Sequence, residues 1–395
     1  MADFDVIVAG GGLGGAALAR LLAANGVRVL VVERERQFKD RIRGEWMAPW
    51  GVAEAQKIGI HDLLMESCAH ENPYFAQPGR PARDFRTTTP QRLPALTFYH
   101  PAMQEVVLEA AQSAGAEVRR GATVREVKPG ATPAVALDGD GPVAQLKARI
   151  VVCADGRSSM GRVWGGFSPQ RGRQRMLGAG VMLDNLAIAD DTSVAGFNPI
   201  LGRFALLFPQ GAGRVRAYLI YPPDSVPRFQ GDADVARFID ESVKTGIVRE
   251  AFAGARSGGP LASFDMTETW VDHPYRDGIV LIGDAAGATD PTWGQGLSLT
   301  VRDVRVLAEN LLTSDDWEEA GHAYAREHDR YFTTTLTSED WSFEMFLDQS
   351  HQARKQRIRA LPLLLAEPER GLDHAFSGPD LPCDESVRKR FFGLE

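Results

Sequence analysis

The stretch Asp5-Val6-Ile7-Val8-Ala9-Gly10-Gly11-Gly12-Leu13-Gly14-Gly15-Ala16-Ala17-Leu18-Ala19 decides the fold of this chain. Its first residues form an apolar run short enough to be a buried strand. Residues 16–24 are rich in alanine and leucine and read as a strong helix. The glycines between them have the spacing Gly10-x-Gly12-x-x-Gly15. Gly10 permits the tight turn, Gly12 lets a pyrophosphate approach the backbone, and Gly15 lets helix and strand pack closely. The free N–H groups and dipole of the helix N-terminus then favour phosphate there. Asn25-Gly26 closes the helix, since both residues tolerate the left-handed conformation. Residues 27–32 form the second strand of a right-handed βαβ unit. Glu33 ends that strand 21 residues beyond Gly12. A carboxylate there can accept from both ribose hydroxyls and disfavours a 2′-phosphate, hence NADP, at this site.

Further along, residues 101–114 read as a helix stopped at Gly115, followed by strands at 117–119 and 122–128. A hairpin joins 134–137 to 144–147 across Asp138-Gly139-Asp140-Gly141, and 149–154 is a buried strand. Between about 171 and 264 the texture changes to longer strands at 176–183, 204–209 and 215–221, with a helix at 232–243. This segment reads as a separate, mainly antiparallel sheet. Residues 278–282 return to the buried-strand pattern and 296–312 form a helix. Helices continue from about 317 to 359, Pro362 stops them, and the remainder is loop-like. The cluster Arg354-Lys355-Gln356-Arg357-Ile358-Arg359 reads as a solvated helix face, with a membrane or partner contact as the alternative.

The formal net charge of −8 over 395 residues argues against a nucleic-acid binder. Cys68, Cys153 and Cys383 are far apart and form no CxxC, which excludes a zinc ribbon or dithiol motif and fits a reducing compartment. No basic leader and no apolar run of transmembrane length is present, so a cytoplasmic protein without integral membrane contact is expected.

Two further motifs carry a family resemblance. Cys153-Ala154-Asp155-Gly156-Arg157-Ser158-Ser159-Met160-Gly161-Arg162 is similar to the D-G-x-x-S-x-x-R pattern of single-component (group A, p-hydroxybenzoate hydroxylase-like) FAD-dependent monooxygenases. Residues 278–303, with Val280-Leu281-Ile282-Gly283-Asp284-Ala285-Ala286, Pro291-Thr292-Trp293-Gly294-Gln295-Gly296-Leu297 and Asp303, resemble their second FAD motif. Arg41-Ile42-Arg43-Gly44 looks like their flavin-contacting segment. The order and distances match over residues 1 to about 312. Gly287 stands where the family often has His, and Asp290-Pro291 where it often has Pro-Pro.

The resemblance implies an α/β fold: a Rossmann-type FAD-binding domain (1–72, 98–168 and 265–330), an inserted, mainly antiparallel β-sheet substrate domain (73–97 and 169–264), and a C-terminal helical segment and tail (331–395). It implies FAD contacts at Gly10, Gly12, Leu13, Gly14, Gly15, Glu33, Arg34, Arg43, Val124, Asp155, Gly283, Asp284, Gly294, Gly296 and Leu297. The family's Arg or Gln at the next helix start falls on His100 or, one turn later, on Gln104. The implied reaction is oxygen insertion, by hydroxylation or epoxidation. NAD(P)H reduces FAD, O₂ adds at flavin C4a, and one oxygen passes to an apolar, aromatic or polycyclic substrate. No second strand-GxGxxG-helix is present, so NAD(P)H binds transiently or a separate reductase supplies electrons.

The flavin carries this chemistry, and no metal cluster or catalytic triad is needed. Independently of the family, Asp284 after a buried strand can accept from a ribityl hydroxyl. Gly294 and Gly296 open a helix whose dipole would stabilise a reduced flavin. Trp46, Met47, Pro291 and Trp293 are the pocket candidates, with Trp50 nearby. Phe204, Leu206, Phe208, Tyr218 and Tyr221 are candidates on the sheet, where sheet core is the competing reading. Halogenation is disfavoured by the absence of W-x-W-x-I-P and of any lysine between Lys57 and Lys128. A flavin dehydrogenase or reductase and a non-catalytic flavin sensor are the alternatives.

Overall fold

A computed structural model of the chain describes residues 2–42, 44–138 and 144–395. The opening strand, Phe4–Ala9, is central to a parallel sheet. Val29–Glu33 pairs on one side of it and Ala144–Cys153 on the other. Glu117–Arg120 extends the sheet beyond Val29–Glu33, and Ile279–Leu281 extends it beyond Ala144–Cys153. Both faces of these strands are covered, which explains their continuous rather than alternating apolar runs. Helix Leu13–Ala24 packs its alanine-rich side on the sheet, with Ala16, Ala17, Leu18 and Leu22 fully buried. Gly26 takes the left-handed turn at φ +82°, whereas Asn25 sits at φ −99° and only caps. The arms Ala134–Asp138 and Ala144–Cys153 pair antiparallel as expected, while the turn glycines Gly139 and Gly141 fall outside the described residues.

The second sheet is mainly antiparallel: Leu177–Asp184, Arg214–Tyr221, Arg203–Pro209 and Thr192–Asn198 lie side by side. Tyr74–Ala76 joins its edge in parallel. Thr192–Asn198 is a strand that its own sequence signals weakly, because Gly196 and Asn198 interrupt the β-branched run. One side chain set of this sheet (Leu177, Ala179, Val181, Leu219, Tyr221) packs under helix Val235–Val243. The other set (Phe204, Leu206, Phe208) turns toward the rest of the molecule.

The C-terminal part differs from expectation. Helix Trp317–Phe346 ends before Asp348, and a new helix, His351–Ala366, starts at the Ser350 cap, whose hydroxyl accepts from Ala353 N–H. Pro362 lies inside that helix rather than stopping it. Leu364, in the same turn, is buried with Met345, Ala360, Phe391 and Phe392, and this packing offsets the lost backbone bond. Two short helices, His374–Ser377 and Glu385–Phe391, occupy the stretch expected to be loop. In the basic cluster, Arg357 is buried and donates to the Glu344 and Met345 carbonyls, so only part of that face is solvated. Among the described residues no helix is long and apolar enough to cross a membrane.

Candidate active site

The glycine turn leaves no room for side chains where packing is closest. A Cβ on Gly10, at φ +108°, would lie 2.4 Å from the Ala154 carbonyl oxygen, and one on Gly15 would lie 2.0 Å from that of Gly10. Gly12 is different: a Cβ there meets only Gln104 Nε2, at 3.3 Å. The turn is therefore tight against the protein at Gly10 and Gly15 and open at Gly12, as a pyrophosphate requires. Glu33 is buried, and its oxygens accept from Gly11 N–H at 2.7 Å and Glu35 N–H at 2.8 Å. Each oxygen keeps a second lone pair, so the backbone orients the carboxylate without exhausting it.

Of the two alternatives in the following helix, Gln104 stands beside the glycine turn, while His100 Nδ1 lies 2.7 Å from the Gly44 carbonyl oxygen. Arg34 is exposed, 3.8 Å from Glu35, and Val124 lies just after Ala122, whose N–H donates to the Glu33 carbonyl. Arg43 lies outside the described residues.

The second and third motifs are bound to each other. Asp155 Oδ2 accepts from Met160 N–H at 2.7 Å and Gly161 N–H at 3.2 Å, and its Oδ1 is buried with no partner among the described residues. Buried Arg162 donates to the Ala285 carbonyl at 2.7 Å and the Asp284 carbonyl at 2.6 Å. Asp303 accepts from Gly283 N–H at 2.7 Å and from the Tyr331 hydroxyl, and burial pushes its carboxyl above the usual range. A Cβ on Gly14 would meet Thr300 at 3.0 Å, and one on Gly44 would meet Leu297 at 3.3 Å. The first turns of helices Leu13–Ala24 and Gly296–Thr313 and the segment around Gly44 thus converge. A Cβ on Gly296 would have only Asp284 Oδ1 nearby, at 4.0 Å. Open glycine backbone at Gly12 and Gly296, two converging helix N-termini, and the unpartnered Asp155 oxygen together fit FAD.

The sequence did not reveal the ion network beside this groove. Arg216, fully buried on the antiparallel sheet, contacts Asp40 Oδ2 at 2.7 Å and Glu45 Oε2 at 2.5 Å. The Tyr218 hydroxyl donates to Glu45 Oε2 at 2.8 Å. Asp40 and Glu45 bracket residues 41–44, and Ile42 between them holds φ +55°. The signal was present as two acids flanking Arg41-Ile42-Arg43-Gly44, but their common partner lies some 170 residues away.

An aromatic cavity of ≈ 270 Å³ opens beside the turn Pro291–Trp293 and Gly294. Trp46 stacks on Phe208 with ring centroids 5.7 Å apart, and Trp293 sits between Phe204 at 6.0 Å and Phe346 at 6.4 Å. Both tryptophans line the cavity, as do Phe204, Leu206 and Phe208. Met47 does not: strand alternation turns it away from Trp46 into the core, where it is fully buried. Pro291 does not either, because it starts the turn on the exposed side and Thr292 takes the inward position. Tyr221 packs on Phe229 beneath the sheet, and Trp50 is buried with its Nε1–H donating to Gln295. The far wall comes from the C-terminal segment, through Glu339, Ser342, Phe346, Leu364 and Phe376. Ser338, Ser342 and Phe346 share one helix face by their spacing, a pattern that could have flagged this wall in the sequence.

Residues 3–337 match the family described as FAD binding domain, and the chain belongs to that family of group A FAD-dependent monooxygenases. It is similar to rifampicin monooxygenase of Streptomyces venezuelae, with 29% identity over 93% of this chain and 76% of that protein. It is similar to 6-methylpretetramide 4-monooxygenase of Streptomyces rimosus, with 25% identity over 80% of this chain and 77% of that protein. Among solved structures, aklavinone-11 hydroxylase with FAD and aklavinone shares the fold, with a TM-score of 0.72 and 20% identity over 89% of this chain and 70% of that one. The chain is an FAD-dependent oxidoreductase of the monooxygenase class.

Proposed function

We propose that this protein inserts one oxygen atom of O₂ into a polycyclic aromatic small molecule held in the ≈ 270 Å³ cavity, with NAD(P)H as a transient reductant. The observation that carries this reading is the wall the cavity shares with the cofactor groove: Thr292, Trp293, Gly294 and Gln295 line the cavity and lead directly into helix Gly296–Thr313. The names of the two Streptomyces relatives, a rifampicin and a 6-methylpretetramide monooxygenase, and the aklavinone bound in the solved hydroxylase support this substrate class.

Gly10, Gly12, Leu13, Gly14 and Gly15 would hold the pyrophosphate, with Gln104 beside them. Glu33 would take the adenosine ribose, and Asp284 the ribityl chain. Gly294, Gly296 and Leu297 would lie against the ring, with the helix dipole stabilising negative charge there. Bound FAD supplies the oxygen-activating redox chemistry. Trp46, Trp293 and Phe208 orient a flat substrate and exclude water. The FAD-loaded protein, given NAD(P)H and a panel of polycyclic phenols and quinones, should release a product heavier by one oxygen atom. Reductant consumption that no panel member stimulates would refute the reading.

A further inference from the structure

The cavity wall contains buried polar atoms that nothing in the protein satisfies. Trp46 Nε1, Trp293 Nε1 and Glu339 Oε1 are shut off from solvent and have no hydrogen-bond partner among the described residues, and all three side chains line the cavity. Such atoms are costly to leave unpaired and are rare in native proteins. Among the neighbouring lining groups, His374 also keeps both ring nitrogens buried without a partner among the described residues, and others are already engaged. Gln295 donates to the Ala375 carbonyl and to Trp293 O, Thr292 Oγ1 bonds Asp290, and the Ser342 hydroxyl donates to the Ser338 carbonyl.

Two of the three unpaired atoms are indole N–H groups, which only donate. The third belongs to a carboxyl that is 4% exposed. Burial without a cationic partner among the described residues, and then the adjacent Asp290 carboxyl, push the Glu339 carboxyl well above the usual range, which favours its hydrogen-bond-donating form. Its Oε2 accepts from Asp290 N–H at 3.3 Å, and its Oε1 is the oxygen left free for a ligand. The cavity therefore presents two indole donors and a raised carboxyl, beside the His374 ring, in a shell that is aromatic for much of its area.

We infer that Glu339, with the indole N–H groups of Trp46 and Trp293, forms a subsite for a carbonyl oxygen on the substrate, so that this cavity selects aryl ketones and quinones over the parent hydrocarbons. The inference rests on the proposed substrate role of the cavity. It assigns to the long helix Trp317–Phe346 a specificity function that no motif in its sequence announced. A site built to hydrogen-bond an oxygen rejects the analogue lacking it, because the buried donors are then left unpaired.

The matched probes 9-fluorenone and fluorene test this on the FAD-loaded protein by titration calorimetry. The wild type should bind 9-fluorenone about tenfold or more tightly than fluorene. Glu339→Leu should lose about tenfold for 9-fluorenone and leave fluorene unchanged or tighter. Glu339→Gln, which keeps a donor at the same place, should retain most of the preference. Trp293→Phe, which removes the indole N–H together with the five-membered part of the ring, should lower 9-fluorenone affinity several-fold more than fluorene affinity, and it guards against a folding defect in the leucine variant. Equal binding of both probes by the wild type, or equal losses for both in Glu339→Leu and Trp293→Phe, would overturn the subsite and leave the aromatic cavity standing. Binding of neither probe by the wild type would overturn the substrate role of the cavity together with the subsite.

Discussion

Arg216 Nε lies 2.5 Å from Glu45 Oε2, and neither side chain is exposed to solvent. The same guanidinium holds Asp40 at 2.7 Å, so one cation on the antiparallel sheet pins both ends of the 41–44 segment beside the cofactor groove. One cation facing two carboxylates cannot fully compensate both. Burial pushes the Glu45 carboxyl up to about 7, although Arg216 and the Tyr218 hydroxyl pull it down.

A pH dependence follows. Folded Glu45 takes up its proton near 7, whereas the unfolded chain does so near its ordinary 4.5. The native state thus binds more protons between these values, and stability from this group is complete below the lower value and lost as pH rises through the upper one. Denaturant unfolding of the wild type should show a decline of up to about 3 kcal/mol across that window, and Glu45→Gln should flatten it. An identical pH slope in the variant would show that Glu45 is ionised throughout.

Trp293 is only partly buried and lines the cavity between two phenylalanines. Trp293→Ala should therefore cost less than the roughly 3–5 kcal/mol of a fully buried tryptophan. It should weaken substrate binding and divert reductant oxidation toward hydrogen peroxide, because the wall that excludes water is gone. Melting temperature and peroxide yield on one preparation check this; a large melting loss with normally coupled turnover would return Trp293 to the core.

Glu33→Ala removes a carboxylate that could bond the ribose and that also accepts from Gly11 N–H. FAD affinity should fall about tenfold or more, from the loss of hydrogen bonds to a charged acceptor worth about 1.5–3 kcal/mol each. Fluorescence titration of the apoprotein with FAD measures it, and unchanged affinity would confine Glu33 to shaping the glycine turn.

Arg162 joins the two motifs through the Ala285 and Asp284 carbonyls. Arg162→Met should leave buried carbonyls without donors, at about 1–3 kcal/mol each. A lower melting temperature and weaker FAD retention should appear together. Loss of stability with FAD binding intact would separate Arg162 from the cofactor site.

The parallel sheet was legible because its signals are local: an apolar run, a fixed glycine spacing and an acid at the next strand end all fall between Asp5 and Glu33. The cavity was legible only on one side. Trp46 and Trp293 stood next to recognisable motifs, but strand alternation, which separates Trp46 from Met47, and turn direction, which separates Thr292 from Pro291, needed coordinates. Arg216, Glu339 and Phe376 act through partners far away in the chain, and such pairings leave no periodic mark. Pro362 misled because its helix is held by the packing of Leu364 rather than by local propensity.

Turnover under ¹⁸O₂ distinguishes oxygen transfer to a polycycle in this cavity from its reduction. The FAD-loaded protein, supplied with NAD(P)H and a polycyclic ketone or phenol that stimulates its oxidation, should yield a product carrying one atom of ¹⁸O and should give none without oxygen. A product lacking the label, or one formed equally well under anaerobic conditions by reduction of the substrate, would rule out oxygen transfer and mark the protein as a flavin reductase.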